Sequence, residues 1–461
     1  LDWIPVGAGN RGSLGERLQE HFAADPSTFP VTSITVPEYD RPNLQAGIDA
    51  YLSKPGRSAE LLGLGVEHTY MEPSLAQLVG RGRAAAGMRV GPVGRTVVEL
   101  DEGRSLACVT MGLFLVSEGD SRLAVLVTRQ RYQSESPVLE VMAAERQVGE
   151  AFMAELRRLQ AEHNVYRGKL ISLSQSAGPM GGRIDVSFHR RRRVARNDIV
   201  LAEGVLERVE RSTVEFDRQR ESLRAAGRHL RRGILLHGPP GTGKTLTATY
   251  LAEALEGRTV LVLTGPALAL IRASCTMARS LQPSMVVLED IDLVAEERTQ
   301  MGPGTTSLLF QLLNEIDGMG EDSDVIFVMT TNRADILEPA LAARPGRVDQ
   351  AVELALPDAA ARARLIELFC EGLSVELRDP ASLVEKTEGA SPAFLRELVR
   401  KAKLAAAIEG HEAVRDEHFE GALGEMEEGG RLTRSILGAG GDGSPPPPAA
   451  EGYPAPRAGH G

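Results

Sequence analysis

Three short stretches, Val260–Leu263, Met285–Leu288 and Val325–Met329, are apolar at every position. Unbroken runs of that length mark strands buried on both faces, as in a parallel sheet covered by helices. From Asp198 to Pro357 such strands alternate with helical patterns, the order expected of a parallel α/β sheet. Beyond Pro357 the chain reads as helix. Ala360–Glu371, Pro392–Glu409 and Asp416–Glu427 carry apolar positions at helical spacing, with Ser, Thr or Asp near their starts. Before Asp198 the pattern is mixed. Arg95–Leu100, Ser105–Val116 and Ser121–Arg131 are strands rich in Val, Leu and Thr, the last two joined by the hairpin connection Ser117-Glu118-Gly119-Asp120. Val148, Phe152, Leu156 and Leu159 predict a helix over Glu145–His163. Gly168–Leu173 and Ile184–Phe188 read as further strands, and helical segments are expected near residues 12–23 and 43–53. Lone aromatics such as Trp3, Phe152 and Tyr166 fit a core better than a ligand site.

These patterns divide the chain into an N-terminal α+β domain (1–190), a large α/β domain (191–356), a small α-helical domain (357–428) and a tail (429–461). The tail is Gly, Pro and Ala rich and includes Pro445-Pro446-Pro447-Pro448; too little apolar surface is present to fold it. No internal repeat is found.

Composition narrows the class. A hydrophobic share of 42 % suits globular cores, and a net charge of −11 argues against a general nucleic-acid binder. The basic run His189-Arg190-Arg191-Arg192-Arg193, with Arg196, reads as a solvated interdomain segment rather than an anion site. No apolar run approaches a membrane span: Leu106–Val116 and Thr259–Ile271 are too short, and the second contains Gly265-Pro266. Leu1-Asp2-Trp3-Ile4-Pro5 lacks the charged-then-apolar order of an export signal. Cys108, Cys275 and Cys370 are odd in number and far apart, which fits a reduced cytoplasmic setting rather than a disulfide framework or zinc cluster. His411-Glu412 opens like H-E-x-x-H, but residue 415 is Arg, so the two-histidine face is missing.

The chemistry concentrates at residues 238–245, Gly-Pro-Pro-Gly-Thr-Gly-Lys-Thr, a complete G-x-x-x-x-G-K-[ST] motif. It follows the apolar Ile234-Leu235-Leu236 and precedes a helical segment beginning at Leu246. The glycines let backbone N–H groups turn inward around a polyphosphate, and the helix N-terminus adds a positive dipole end. Lys244 is placed to reach the β- and γ-phosphates, and the Thr245 hydroxyl to ligate Mg²⁺. The strand Ser284–Leu288 ends in Glu289-Asp290, a carboxylate pair able to hold Mg²⁺ and polarise an attacking water. Asn332, at the end of the strand that begins at Val325, can orient that water. Arg344 and Arg347 can stabilise charge on the transferring phosphoryl group if presented to a neighbouring subunit.

Taken in order, the segment from Asp198 to about Glu427 resembles an AAA ATPase module of the AAA+ superfamily. The resemblance rests on Asp198-Ile199-Val200-Leu201, Arg232–Thr245, Val287–Asp292, Leu312–Met319, Thr331-Asn332-Arg333, Arg344–Asp349 and Gly389-Ala390-Ser391. It covers about half the chain. It implies a P-loop NTPase parallel sheet with a small helical lid, preceded here by the α+β domain. It implies ATP and Mg²⁺ as ligands, held by Asp198 and Ile199 near adenine, Gly238, Pro239, Pro240, Gly241, Thr242, Gly243, Lys244, Thr245 and Leu246 at the phosphates, and Thr245 with Glu289 at the metal. Catalysis falls to Lys244, Glu289, Asp290, Asn332 as first sensor, and Arg344 and Arg347 as fingers in trans. A homo-oligomeric ring, usually a hexamer, is implied, with a protein partner engaged through the N-terminal domain.

Three departures qualify the resemblance. The acidic pair runs Glu-Asp where the family usually has Asp-Glu, an order shared by a subset of members; hydrolysis is still expected, with Asp290 polarising water. Thr264–Arg272 stands where the first pore loop would be, but is short and lacks an aromatic-Gly pair, which weakens the case for threading polypeptide. Pro339–Arg344 is one residue longer than the usual approach to the fingers. Two functions therefore remain open: an ATP-driven remodeller of a protein partner, and a nucleotide-dependent assembly switch with a slow ATPase.

Overall fold

The computed structural model describes residues 13–66, 73–80, 88–129, 136–178, 181–292, 314–316, 318–320, 323–335 and 348–428. Two compact units emerge: Leu1–Arg196 with Glu207–His237 and Thr245–Val352, and Asn197–Leu206 with Gly238–Lys244 and Glu353–Gly461.

The first unit holds two seven-stranded sheets. One is antiparallel, built from β1 (Val31–Thr35), β2 (Arg57–Val66), β3 (Met88–Gly91), β4 (Gly94–Glu99), β5 (Ser105–Glu118), β6 (Ser121–Arg129) and β7 (Pro137–Ala143). Its order is β1-β7-β6-β5-β2-β3, with β4 also on β5. Helices α1 (Leu14–Phe22) and α3 (Leu75–Val79) cover one face; α2 (Arg41–Leu52) and α4 (Arg146–Glu162) cover the other. This explains why β5 is apolar at successive positions. Leu113 and Leu115 pack with Leu14, Leu18 and Leu78, while Phe114 and Val116 pack with Ile48, Phe152 and Leu156. The expected β5–β6 hairpin and the helix from Val148 to Leu159 are both present.

The second sheet contains β8 (Leu170–Gly178), β9 (Gly181–His189), β10 (Arg232–His237), β11 (Thr259–Thr264), β12 (Ser284–Glu289), β13 (Val325–Thr331) and β14 (Gln350–Glu353). Its order is β14-β10-β13-β12-β11-β8-β9. The core strands β10, β13, β12 and β11 are parallel in register, with His237 opposite Thr331 and Leu288 opposite Met329, so their carboxyl ends share one edge. Helices α5 (Lys244–Ala254) and α6 (Ile271–Ser280) follow β10 and β11 in the chain.

The strand hairpin at 170–189 differs from expectation. Sequence reading put it with the N-terminal region, yet β8 pairs in parallel with β11, Val260 opposite Leu170 and Val262 opposite Ser172. The basic run that follows is not simply solvated either. Arg191, half-buried, donates to the Ala252 carbonyl in the last turn of α5 and to the Arg258 carbonyl at 2.6 Å. A guanidinium on the last carbonyls of a helix is favoured by the helix dipole.

The second unit is helical. It contains α7 (Ala359–Cys370), α8 (Pro380–Lys386), α9 (Pro392–Ile408) and α10 (Asp416–Glu428). Asp358, Asp379 and Ser391 cap the first three by accepting the amides of Ala361, Ser382 and Phe394. Leu365, Leu395, Leu398, Ala402, Phe419 and Leu423 form its core, with Val200 packed among them. Helix α8 was not foreseen: seven residues carry too little periodicity to register.

Candidate nucleotide site

The carboxyl edge of the parallel sheet gathers the predicted acidic and sensor residues. Glu289 closes β12, and its carboxylate accepts a hydrogen bond from the Thr245 hydroxyl on the first turn of α5. Burial raises the Glu289 pKa, and the neighbouring Asp290 charge raises it further against that bond. A cation there offsets both effects, and the donor set of one hydroxyl and carboxylate oxygens suits Mg²⁺, a hard ion that prefers oxygen. Thr245 and Glu289 also line a cavity of about 170 Å³ with Ala248, Val262 and Val287.

Asp290 sits past the strand end with φ of 51°, in the left-handed region that costs an ordinary residue about 1–3 kcal/mol and Asp somewhat less. Its N–H donates to Thr330 Oγ1 at 3.0 Å, and the next amide, of Ile291, donates to the Thr330 carbonyl at 3.0 Å. The return contacts run to Asp292, whose Oδ1 accepts the Thr331 hydroxyl at 2.8 Å and the Asn332 amide at 3.2 Å. Asn332 Nδ2 lies 3.4 Å from Asp290 Oδ1. Glu289, Asp290, Asn332 and Thr245 are thus brought together as expected. Thr330 and Asp292 were assigned no role from sequence. A hydroxyl in an otherwise apolar buried strand, and a carboxylate two residues past the acidic pair, were the signals present.

The phosphate loop belongs to the second unit. Lys244 Nζ donates to the carbonyls of Gly238 and Pro239 at 2.9 and 2.7 Å, and the Thr242 hydroxyl donates to Pro239 at 2.9 Å. Gly238 has φ of 143°, and a Cβ there would stand 2.3 Å from the Leu354 carbonyl oxygen. Only glycine fits. At the start of α9, the Ala393 amide donates to Gly241 O at 3.2 Å. Asp198 and Ile199, expected near adenine, fall in this same unit, with Ile199 buried. Arg344 and Arg347 lie outside the described residues, as does the tail. The segment expected in the pore-loop position forms a short 3₁₀ helix over Gly265–Leu270, and Leu268 and Leu270 are buried in the sheet core.

Donor side chains also converge at Glu409, His411 and His418. His418 Nδ1 accepts the Arg415 amide at 2.9 Å, so the neutral ring carries its hydrogen on Nε2. That atom faces His411 Nδ1 at 3.0 Å and Glu409 Oε2 at 3.3 Å. A ligating nitrogen needs a free lone pair, so this cluster shares a proton rather than offering a metal three donors.

A strand, a glycine-rich turn, a helix and an acidic strand end in this order define a P-loop NTPase. Comparison identifies two of its domains. Residues 234–356 match the profile described as ATPase family associated with various cellular activities (AAA), and residues 379–421 match the AAA+ lid domain. This chain carries an AAA ATPase domain and its lid. Similar proteins include the proteasome-activating nucleotidase of Methanosphaerula palustris, 33 % identical over 216 residues, which are 44 % of this chain and 52 % of the relative. The 26S proteasome regulatory subunit 8 homolog of Schizosaccharomyces pombe is 34 % identical over 209 residues, 42 % of this chain and 52 % of the relative. The chain spans about half the length of the curated relatives it matches. Among the described residues, no helix is long and apolar enough to cross a membrane.

Proposed function

We propose that this protein binds and hydrolyses ATP with Mg²⁺ as an oligomeric ring, usually six subunits in this family, and uses the cycle to remodel a protein partner. The observation that carries the reading is the convergence of Thr245, Glu289, Asp290 and Asn332 at one sheet edge. Lys244 and the loop amides bind the phosphates. Thr245 and Glu289 would hold Mg²⁺, which would neutralise phosphate charge when bound. Asp290 takes a proton from the attacking water, and Asn332 orients that water and the Asp290 carboxylate. Arg344 and Arg347 supply positive charge to a neighbouring subunit's phosphates, and Asp198 and Ile199 contact adenine. The similarity to proteasome-activating nucleotidases supports a protein partner; we infer further that the partner is engaged through the N-terminal domain, in the cytoplasm.

The test is turnover of MgATP by the purified chain and by Asp290→Asn. Wild type is expected to release phosphate, and the variant to retain nucleotide while turnover falls at least tenfold. Unchanged turnover in the variant removes Asp290 from its role; no turnover in wild type refutes the reading.

One observation favours the second function, an assembly switch without threading: the pore-loop position holds a 3₁₀ turn whose Leu268 and Leu270 are buried. Stimulation of ATPase rate by an unfolded protein distinguishes the two, since only a remodeller that engages extended chain responds.

A further inference from the structure

The carboxylate assigned to water activation is an aspartate, one methylene shorter than glutamate. Its reach from the main chain is smaller by about one carbon–carbon bond, ~1.5 Å. A shorter arm can serve the same point only if the main chain carries it there. At Asp290 the main chain does turn: φ is 51°, and Ala23, at the end of α1, is the other non-glycine residue with positive φ among the described residues.

We propose that Thr330 is a positioning residue for hydrolysis, holding Asp290 in its left-handed conformation so that the short carboxylate reaches the attacking water. This rests on the reading of Asp290 as the water-activating group. The parallel ladder between β12 and β13 ends with Leu288 opposite Met329. Beyond it, Thr330 supplies two acceptors to two consecutive amides: its hydroxyl oxygen to Asp290 and its carbonyl to Ile291, both at 3.0 Å. A residue with no side-chain oxygen offers only the second bond. Thr330 is 1 % exposed, which leaves little room for water to replace the hydroxyl. Asp292 fixes the opposite strand end by accepting from Thr331 and Asn332, so Asn332 approaches Asp290 from a clamped position. The left-handed turn is therefore held by specific bonds. Thr330 touches no reacting atom; it acts through the Asp290 main chain.

The experiment compares wild type, Thr330→Val and Thr330→Ser in the full chain, measuring kcat and KM for MgATP, affinity for a fluorescent ATP analogue, and Tm. Valine keeps the shape and removes the hydroxyl; serine keeps the hydroxyl. Thr330→Val is expected to lower kcat tenfold or more, with KM, analogue affinity and Tm close to wild type, and Thr330→Ser to restore most of the loss. An unchanged kcat in Thr330→Val overturns the inference. So does a joint loss of kcat, affinity and Tm, which marks a structural role, or a serine variant no better than valine. If wild type hydrolyses ATP and Asp290→Asn does not, while Thr330→Val matches wild type, this inference alone fails. If wild type shows no turnover, the functional reading fails with it.

Discussion

Gly238→Ala isolates the geometry of the phosphate loop from its chemistry. The native φ of 143° lies in a region that side-chain-bearing residues rarely adopt, at a cost of order 1–3 kcal/mol. The added methyl would also stand 2.3 Å from Leu354 O and 3.0 Å from Leu354 C. Leu354 is 1 % exposed and part of a packed segment, so the loop must yield, by roughly 1 Å to regain ordinary contact. That displacement moves the Gly238 and Pro239 carbonyls to which Lys244 is bonded. If the strain falls wholly on the binding-competent loop, 1–3 kcal/mol corresponds to roughly 5- to 150-fold weaker nucleotide binding. The collision places the expectation at the upper end. Gly257→Ala is the control: φ is 82°, and nothing lies within 4 Å of the new methyl. It should cost about 1 kcal/mol of stability and leave nucleotide affinity unchanged. Titration with a fluorescent ATP analogue, alongside thermal melts, reads both variants. Binding by Gly238→Ala within twofold of wild type would refute the steric reasoning.

Two further outcomes are expected. Arg258 is fully buried, bonded to Asp324 at 2.5 Å, to Asp217 at 2.7 Å and to the Ser284 carbonyl at 3.0 Å. Arg258→Leu leaves the buried Asp324 with the largely exposed Arg224, 3.2 Å away, as its remaining ion-pair partner and should cost about 3 kcal/mol in urea denaturation followed by fluorescence, with Asp324→Leu in the same chain recovering most of it. Recovery of none would show that the arginine acts by packing instead. Glu155 is held down to about 2 by hydrogen bonds from Arg57 and then Lys54. Its folded pKa lies below the unfolded value, so the stabilisation is present above about pH 4.5 and fades as pH falls toward 2. Wild-type stability should drop more steeply across that window than that of Glu155→Gln; parallel curves would contradict the assignment.

The buried strands were legible because a strand covered on both faces is apolar along its centre, as Val260–Leu263, Met285–Leu288 and Val325–Met329 are. The phosphate loop was legible because its chemistry is local in sequence. The sheet to which β8 and β9 belong was not. Alternation identifies a strand but not its partner, and the pairing of Leu170 with Val260 spans ninety residues of chain that no local pattern records. Asp290 shows a similar limit. An acidic residue after a buried strand announces a carboxylate, but nothing in residue type announces a left-handed φ or the threonine forty positions away that holds it. Arg191 misled for a different reason. A charge run is usually solvated, yet this guanidinium found the helix-end carbonyl of Ala252 and the carbonyl of Arg258, partners invisible to a count of charges.

The pairing of β8 with β11 also has a mechanical meaning. A domain tethered by a flexible linker transmits no tension until the slack is taken up. Here α4 leads through Tyr166 to β8, which lies parallel to β11 with Val260, Leu261 and Val262 in register, and Tyr166 is buried in the same core as β11 and β12. A pull on the antiparallel sheet along the strand axis loads these ladder bonds in shear, where they share the force instead of opening one by one. The strand bearing Glu289 is then joined to the N-terminal sheet through β11, β8 and α4, a route of paired strands and packed helix with no slack segment in it.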